Sequence, residues 1–289
     1  MKLARVGPLG KEIPAVLTED GRLLDARSLV DDLDGSALGG EVLGRLARAE
    51  RDGRLPEVAG SQVRYGACIA RPGKVVCIGL NYRDHAEETG APIPAEPVVF
   101  LKASDTVVGA GDDVLIPLHS TKTDWEVELA VVIGEPARYL SAPEDARRVI
   151  AGYAISDDVS EREFQLERGG QWDKGKSCET FNPLGPWLVT ADEIPDPQAL
   201  GLRLWVDGQL RQDGSTTSMI FGVDYLVWYL SQFMVLYPGD VINTGTPAGV
   251  ALGRPDPKPY LRPGNVVECE IDGLGHSKHP FRSADIGDR

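Results

Sequence analysis

The chain has 289 residues, 42% hydrophobic and 26% charged, enough for one large unit or two unequal ones around an ordinary core, which excludes a disulfide-stapled miniprotein. With 44 acidic and 30 basic residues its formal charge is −14, which opposes binding to nucleic acid or to an anionic membrane surface. No apolar run approaches the ~20 residues of a membrane span, and the 33 glycines and 21 prolines point to short elements joined by tight turns, hence to a strand-rich α+β chain.

Residues 1–70 read as a small N-terminal α/β unit: strand-like pieces at Ala15 to Thr18 and Arg22 to Asp25, then a helical face made by Leu38, Val42, Leu43 and Leu46. No apolar leader follows Lys2 and Arg5, so a cytoplasmic location is the expectation. The polar stretch Arg51 to Gly60 reads as a linker, and residues 71–289 form the main unit. Short apolar runs at Lys74 to Leu80, Val98 to Lys102, Val114 to Pro117, Trp125 to Gly134 and Gly152 to Asp158 predict its strands. Ser141-Ala-Pro-Glu144 spells a capping box, and Val223, Leu226, Val227, Leu230 and Phe233 predict a helix over 219–236. Asp207-Gly208 between Leu202 to Val206 and Gln209 to Arg211 predicts a type I′ hairpin. Cys68, Cys77, Cys178 and Cys269 form no CxxC pair, and Cys178, although beside Lys176, has no histidine near it in sequence to make it a nucleophile.

Five stretches carry chemistry. In Asp124-Trp125-Glu126-Val127-Glu128, strand alternation puts Glu126 and Glu128 on one face about 6.5–7 Å apart, a spacing that can hold one divalent cation between them. A solvated acidic face on an edge strand is the competing explanation. Gly152 to Asp158 runs an apolar strand into Asp157-Asp158, whose side chains point to opposite faces; Asp158 offers a third carboxylate, and an all-oxygen set suits Mg²⁺ or Mn²⁺. In Asn81 to Gly90, a helical turn would place His85 and Glu88 side by side, a carboxylate-held imidazole able to activate water, in a lid over residues 82–96. Lys174-Gly175-Lys176 bends a loop that offers Lys176 to an anionic oxygen, and Asn243 to Gly249 supplies N–H and hydroxyl groups suited to a carboxylate. His276 and His279 fall in a polar tail and are read as solvated.

In this order, the five stretches resemble the fumarylacetoacetate hydrolase superfamily over Val75 to about Ile271. The resemblance implies a mixed β-roll, a homodimer, Mg²⁺ or Mn²⁺ on Glu126, Glu128 and Asp158, catalytic roles for His85, Glu88 and Lys176, and substrate contacts from Tyr82, Arg162, Gly245 and Thr246. Ser160-Glu161-Arg162-Glu163 departs from the Thr-Ala-Arg-Asp of many members, which leaves the role of Arg162 open. The runs at 121–126 and 170–177 are most similar to hydrolases of 2,4-diketo-3-deoxy sugar acids such as the rhamnonate or fuconate derivatives. The implied activity is metal-dependent cleavage of a C–C bond in a small 2,4-diketo acid to pyruvate and a second acid. A decarboxylase or 2-hydroxy-dienoate isomerase on the same head group is the alternative within the superfamily, and a non-catalytic sugar-acid-binding module is the alternative outside it.

Overall fold

The computed structural model describes residues 1–60 and 63–285. Its centre is the strand Val127–Ile133, every residue of which is buried. So continuous an apolar run is stable only with both faces covered, and two clusters of buried side chains share its residues: Leu129, Val131 and Ile133 pack to one side, Ala130 and Val132 to the other. The strand pairs antiparallel with Ile150–Asp157 on one edge and with Val241–Asn243 on the other, inside an eleven-stranded mixed sheet. Beyond Val241–Asn243 the sheet continues through Val75–Gly79 to the edge strand Val98–Lys102. A second sheet of five strands includes Gly201–Val206 and Val266–Ile271, where buried and part-exposed residues alternate as expected of a half-buried sheet.

Residues 1–70, read from the sequence as a small unit, are joined to the rest by the main sheet itself, because Lys2–Val6 pairs with Leu188–Thr190. The helix expected there spans Gly40–Arg51. The Asp207-Gly208 hairpin forms with both residues at positive φ, +51° and +74°, as a type I′ turn requires.

Three local expectations are corrected. The 219–236 helix is only Val223–Ser231: the Val223 N–H donates to Gln198 Oε1 at 2.6 Å, Gly222 before it is extended, and Phe233 lies on the surface. The capping box at Ser141 is not made. Instead, Pro143–Arg148 forms a 3₁₀ segment in which the Ala142 N–H donates to Asp145 Oδ2 at 3.3 Å, one residue later than the spelling implies; Pro143 suits its first position because the missing N–H has no partner there in any case. The supposed polar tail is the strand Gly275–Ser283, and while His276 is largely exposed beside Glu268, His279 is fully buried. No helix among the described residues is long and apolar enough to cross a membrane.

Candidate active site

The site begins where the central strand pair frays. The register sets Ser156 opposite Glu128 and Asp157 opposite Val127. One step further, the Asp158 N–H donates to the Glu126 carbonyl at 2.9 Å, while the Glu126 N–H turns to Asp157 Oδ1 at 2.9 Å. Glu126, Glu128 and Asp158 thus meet as neighbours across two strands, buried, each with an oxygen within 4.8 Å of the others. They sit in the interior of the sheet, which removes the edge-strand explanation. Asp157 points the other way, as alternation demands, and its second oxygen lies 2.8 Å from His279 Nε2.

Every carboxylate in this group is matched by a cation or an N–H. Lys176, from the one-turn helix Asp173–Lys176, donates to Glu126 Oε2 at 2.6 Å and to Asp158 Oδ2 at 2.8 Å. That approach depends on Gly175, where a Cβ would stand 2.4 Å from the Glu161 carbonyl oxygen. Arg162 donates to Glu126 Oε1 at 2.6 Å, to Asp124 Oδ2 at 2.8 Å and to Gln165 Oε1 at 3.0 Å. Lys102, at the end of the edge strand, reaches Asp158 Oδ1. Glu128 receives the Gly245 N–H at 2.7 Å from a turn at φ +98°, a conformation glycine adopts without strain.

The titration of these groups follows from that wiring. Burial alone would raise the Glu126 carboxyl, but the charges of Lys176 and Arg162 outweigh it and hold Glu126 below its ordinary range. Lys176 is raised: burial disfavours its charge, and Asp158 and Glu126 more than restore it, so it is a fixed ammonium rather than a proton carrier. Glu128 is pushed well above the usual carboxylate range by burial and by the charges of Asp158 and Glu126. Three mutually close, buried carboxylates with no nitrogen or sulfur donor among them form a set that a hard divalent ion could occupy. The residues fit Mg²⁺ or Mn²⁺.

Above this base opens a cavity of about 510 Å³. Glu126, Glu128, Arg162, Lys176 and Thr246 line it from the base, and His85 and Glu88 line it from the helix Arg83–Thr89. His85 Nδ1 lies 3.5 Å from Glu88 Oε2, close enough for attraction but beyond a good hydrogen bond, and among the described residues that nitrogen has no hydrogen-bond partner. The Glu88 carboxylate also accepts the Gly249 N–H at 3.0 Å. Burial would raise it, yet His85 and Gly249 together bring it below its ordinary value.

Two residues expected at the substrate stand elsewhere. Tyr82 is fully buried outside the cavity lining, its hydroxyl without a hydrogen-bond partner among the described residues, because its backbone pairs with Met219 and draws the ring into the core. Gly245 directs its N–H at Glu128. Thr246 lines the cavity, but its hydroxyl donates to the Val127 carbonyl at 2.9 Å and accepts from Gln212 at 2.8 Å. Cys178, pushed up to about 11 chiefly by burial, is no ready nucleophile. Sequence reasoning missed Lys102, Asp124, Gln165 and the Asp157–His279 pair. A lysine ending the apolar run Val98–Lys102 was the one available signal, since a strand entering a core seldom ends in a buried charge without a counter-charge.

Residues 74–282 match the family described as fumarylacetoacetate (FAA) hydrolase, C-terminal. A protein of Burkholderia multivorans (strain ATCC 17616 / 249), provisionally named a hydrolase without a substrate, is 52% identical over 286 residues, 98% of this chain and 100% of the relative. The crystal structure of 2-hydroxyhepta-2,4-diene-1,7-dioate isomerase from Mycobacterium marinum is similar with a TM-score of 0.75 at 31% identity, covering 98% of each chain. That of maleylpyruvate hydrolase from Sphingobium sp. SYK-6, in complex with manganese(II) and pyruvate, is similar with a TM-score of 0.81 at 27% identity, covering 99% of this chain and 100% of the other.

Proposed function

The chain belongs to the fumarylacetoacetate hydrolase family, and from that premise we propose that it is a metal-dependent hydrolase that cleaves a C–C bond of a 2,4-diketo acid, the deoxy sugar acids among the candidates, to pyruvate and a second acid. The observation that carries this reading is the meeting of three mutually close carboxylates and a fixed ammonium at the base of one cavity, with an imidazole lining it from the lid helix. The maleylpyruvate hydrolase that holds manganese and pyruvate supports it from a related fold.

Glu126, Glu128 and Asp158 would hold the Mg²⁺ or Mn²⁺, which when bound supplies Lewis acidity toward the 2-oxo carboxylate of the substrate. His85, with Glu88 beside it, takes a proton from a water in the cavity, and the resulting hydroxide adds to the 4-oxo carbon. Lys176, charged throughout, offsets the negative charge that grows as the tetrahedral carbon forms. The C3–C4 bond then breaks, its electron pair passes into the enolate of pyruvate, and the proton held on His85 returns to C3. Arg162 keeps the Glu126 carboxylate aimed by holding Asp124 and Gln165 at the same time.

One observation favours a second reading, an isomerase or decarboxylase on the same head group: the likeness to the Mycobacterium marinum isomerase over nearly the whole chain. The two separate in an assay of acylpyruvates and 2,4-diketo-3-deoxy sugar acids with Mg²⁺ or Mn²⁺ in heavy-oxygen water. Pyruvate plus an acid carrying heavy oxygen supports hydrolysis. Carbon dioxide release or a rearranged dienoate without oxygen incorporation supports the second reading, and tight binding of a pyruvate analogue with no turnover would favour a binding module. Glu126→Gln should lose metal-dependent turnover while its circular dichroism stays native; full activity of that variant in chelator would refute the metal assignment.

A further inference from the structure

Among the described residues, the strands of the second sheet supply none of the cavity lining, yet two of its buried side chains hold the backbone that carries Glu126 and Glu128. Where the central ladder frays, buried N–H groups need other acceptors. The Val127 N–H donates to Gln212 Oε1 at 3.0 Å, and the Glu126 N–H donates to Asp157 Oδ1 at 2.9 Å. Gln212 is the one buried residue of its strand, Gln209–Ser215. Asp157 is held in turn from the same sheet, because its Oδ2 lies 2.8 Å from Nε2 of His279 on Gly275–Ser283.

His279 is fully buried, opposite Val267 in its ladder and with the Phe281 ring beside it at 5.9 Å between centroids. An imidazole in such surroundings costs more than an apolar side chain unless its polar atoms are used. Only one of them is: among the described residues Nδ1 has no hydrogen-bond partner, so the contact with Asp157 is the single hydrogen bond of this ring. Asp157, Cys269 and His279 bring potential ligand atoms within 4.8 Å of one another, but both Asp157 oxygens are engaged and burial pushes the Cys269 thiol well above its ordinary value. The trio is a hydrogen-bonded brace and not a second metal centre. A carboxylate bound through both oxygens is fixed in its plane, and this one fixes the Glu126 main chain while preceding Asp158 in sequence. We propose that His279 is a positioning residue for the metal centre: by clamping Asp157 it sets the separation of Glu126 and Asp158, so that both carboxylates are already placed for the divalent ion before it arrives. This rests on the metal reading of the base given above.

The affinity for Mn²⁺, measured by calorimetry on chelator-treated protein, tests it. His279→Leu should bind Mn²⁺ about 10–100-fold more weakly than the wild-type protein, the loss typical when the partner of a metal ligand is removed, while its circular dichroism stays native. His279→Gln, whose amide nitrogen falls near the position of Nε2, should recover most of that affinity. Val267→Ala removes apolar bulk opposite His279 and leaves the bond to Asp157, so it should lower the melting temperature and keep the wild-type affinity. Unchanged affinity in His279→Leu would overturn the proposal. So would an equal loss in Val267→Ala or in His279→Gln, either of which makes the effect one of packing. Should His279→Leu fail to fold, the wild-type protein supplies the test: the Nε2–H proton resonance of His279 should shift when diamagnetic Mg²⁺ is added, and a resonance that stays in place would overturn the proposal. Glu126→Gln in the same titration separates the two levels. Mn²⁺ affinity that ignores Glu126 refutes the metal reading and with it anything His279 could position; affinity that depends on Glu126 but not on His279 refutes the positioning role alone.

Discussion

At the base of the cavity each charged side chain meets a counter-charge or a backbone N–H, whereas at the lid end His85 Nδ1 has no hydrogen-bond partner among the described residues. The base is built from strand ends inside a sheet, the lid end from a seven-residue helix and the loop packed on it. Groups that must hold one geometry are wired to one another on rigid strands, because a preorganised polar network needs no rearrangement during reaction. Groups that must meet a varying ligand retain donors and acceptors for it.

The largest effect that would sharpen this contrast lies at the base. Lys176→Met strands Glu126 and Asp158 without their shared ammonium, and breaking such a buried pair costs about 3–5 kcal/mol. Its urea midpoint should fall steeply and turnover should vanish even where the variant remains folded. A variant as stable as the parent would show that the base is not the tightly coupled unit described. At the lid end His85→Ala should leave the melting temperature nearly unchanged, since the ring nitrogen nearest Glu88 has no hydrogen bond to lose, yet lower hydrolysis by about 10²–10⁴-fold. Equal damage to stability and rate would erase the distinction between the two ends.

A smaller effect lies away from the cavity, where Glu12 receives Arg64 at 2.7 Å. Burial would raise the Glu12 carboxyl, but the Arg64 hydrogen bond and further contacts lower it below 4.5. A carboxyl depressed in the folded state contributes stability that is complete above its unfolded value and is lost as the pH falls through the lower, folded one. The melting-temperature gap between the wild-type protein and Arg64→Met should therefore be wider at about pH 6 than at about pH 3. A gap independent of pH would assign the Arg64 contribution to packing and to its other partners.

Much of the base was visible in the chain before folding. The Glu126-x-Glu128 spacing, the strand period and the Asp157-Asp158 pair together required that Glu126, Glu128 and one aspartate could share a face, and they do. His85 and Glu88 were legible for the same reason, a separation of three within one helical turn. Tyr82 and His279 were misjudged because neither position is decided locally: a bridge to Met219 turns Tyr82 inward, and a ladder to Val266–Ile271 carries a histidine from a polar stretch into the core.

The order of chemistry-bearing segments, the periodicities that align their side chains and the acidic surplus belong to the sequence itself, because each depends on residues a few positions apart. Which side chains meet those acids was settled only by tertiary structure. Lys102 lies 56 residues from Asp158, Lys176 lies 50 from Glu126, and His279 lies 122 from Asp157. Contacts of that separation form only when the sheet closes and burial makes an unmatched charge too costly to keep.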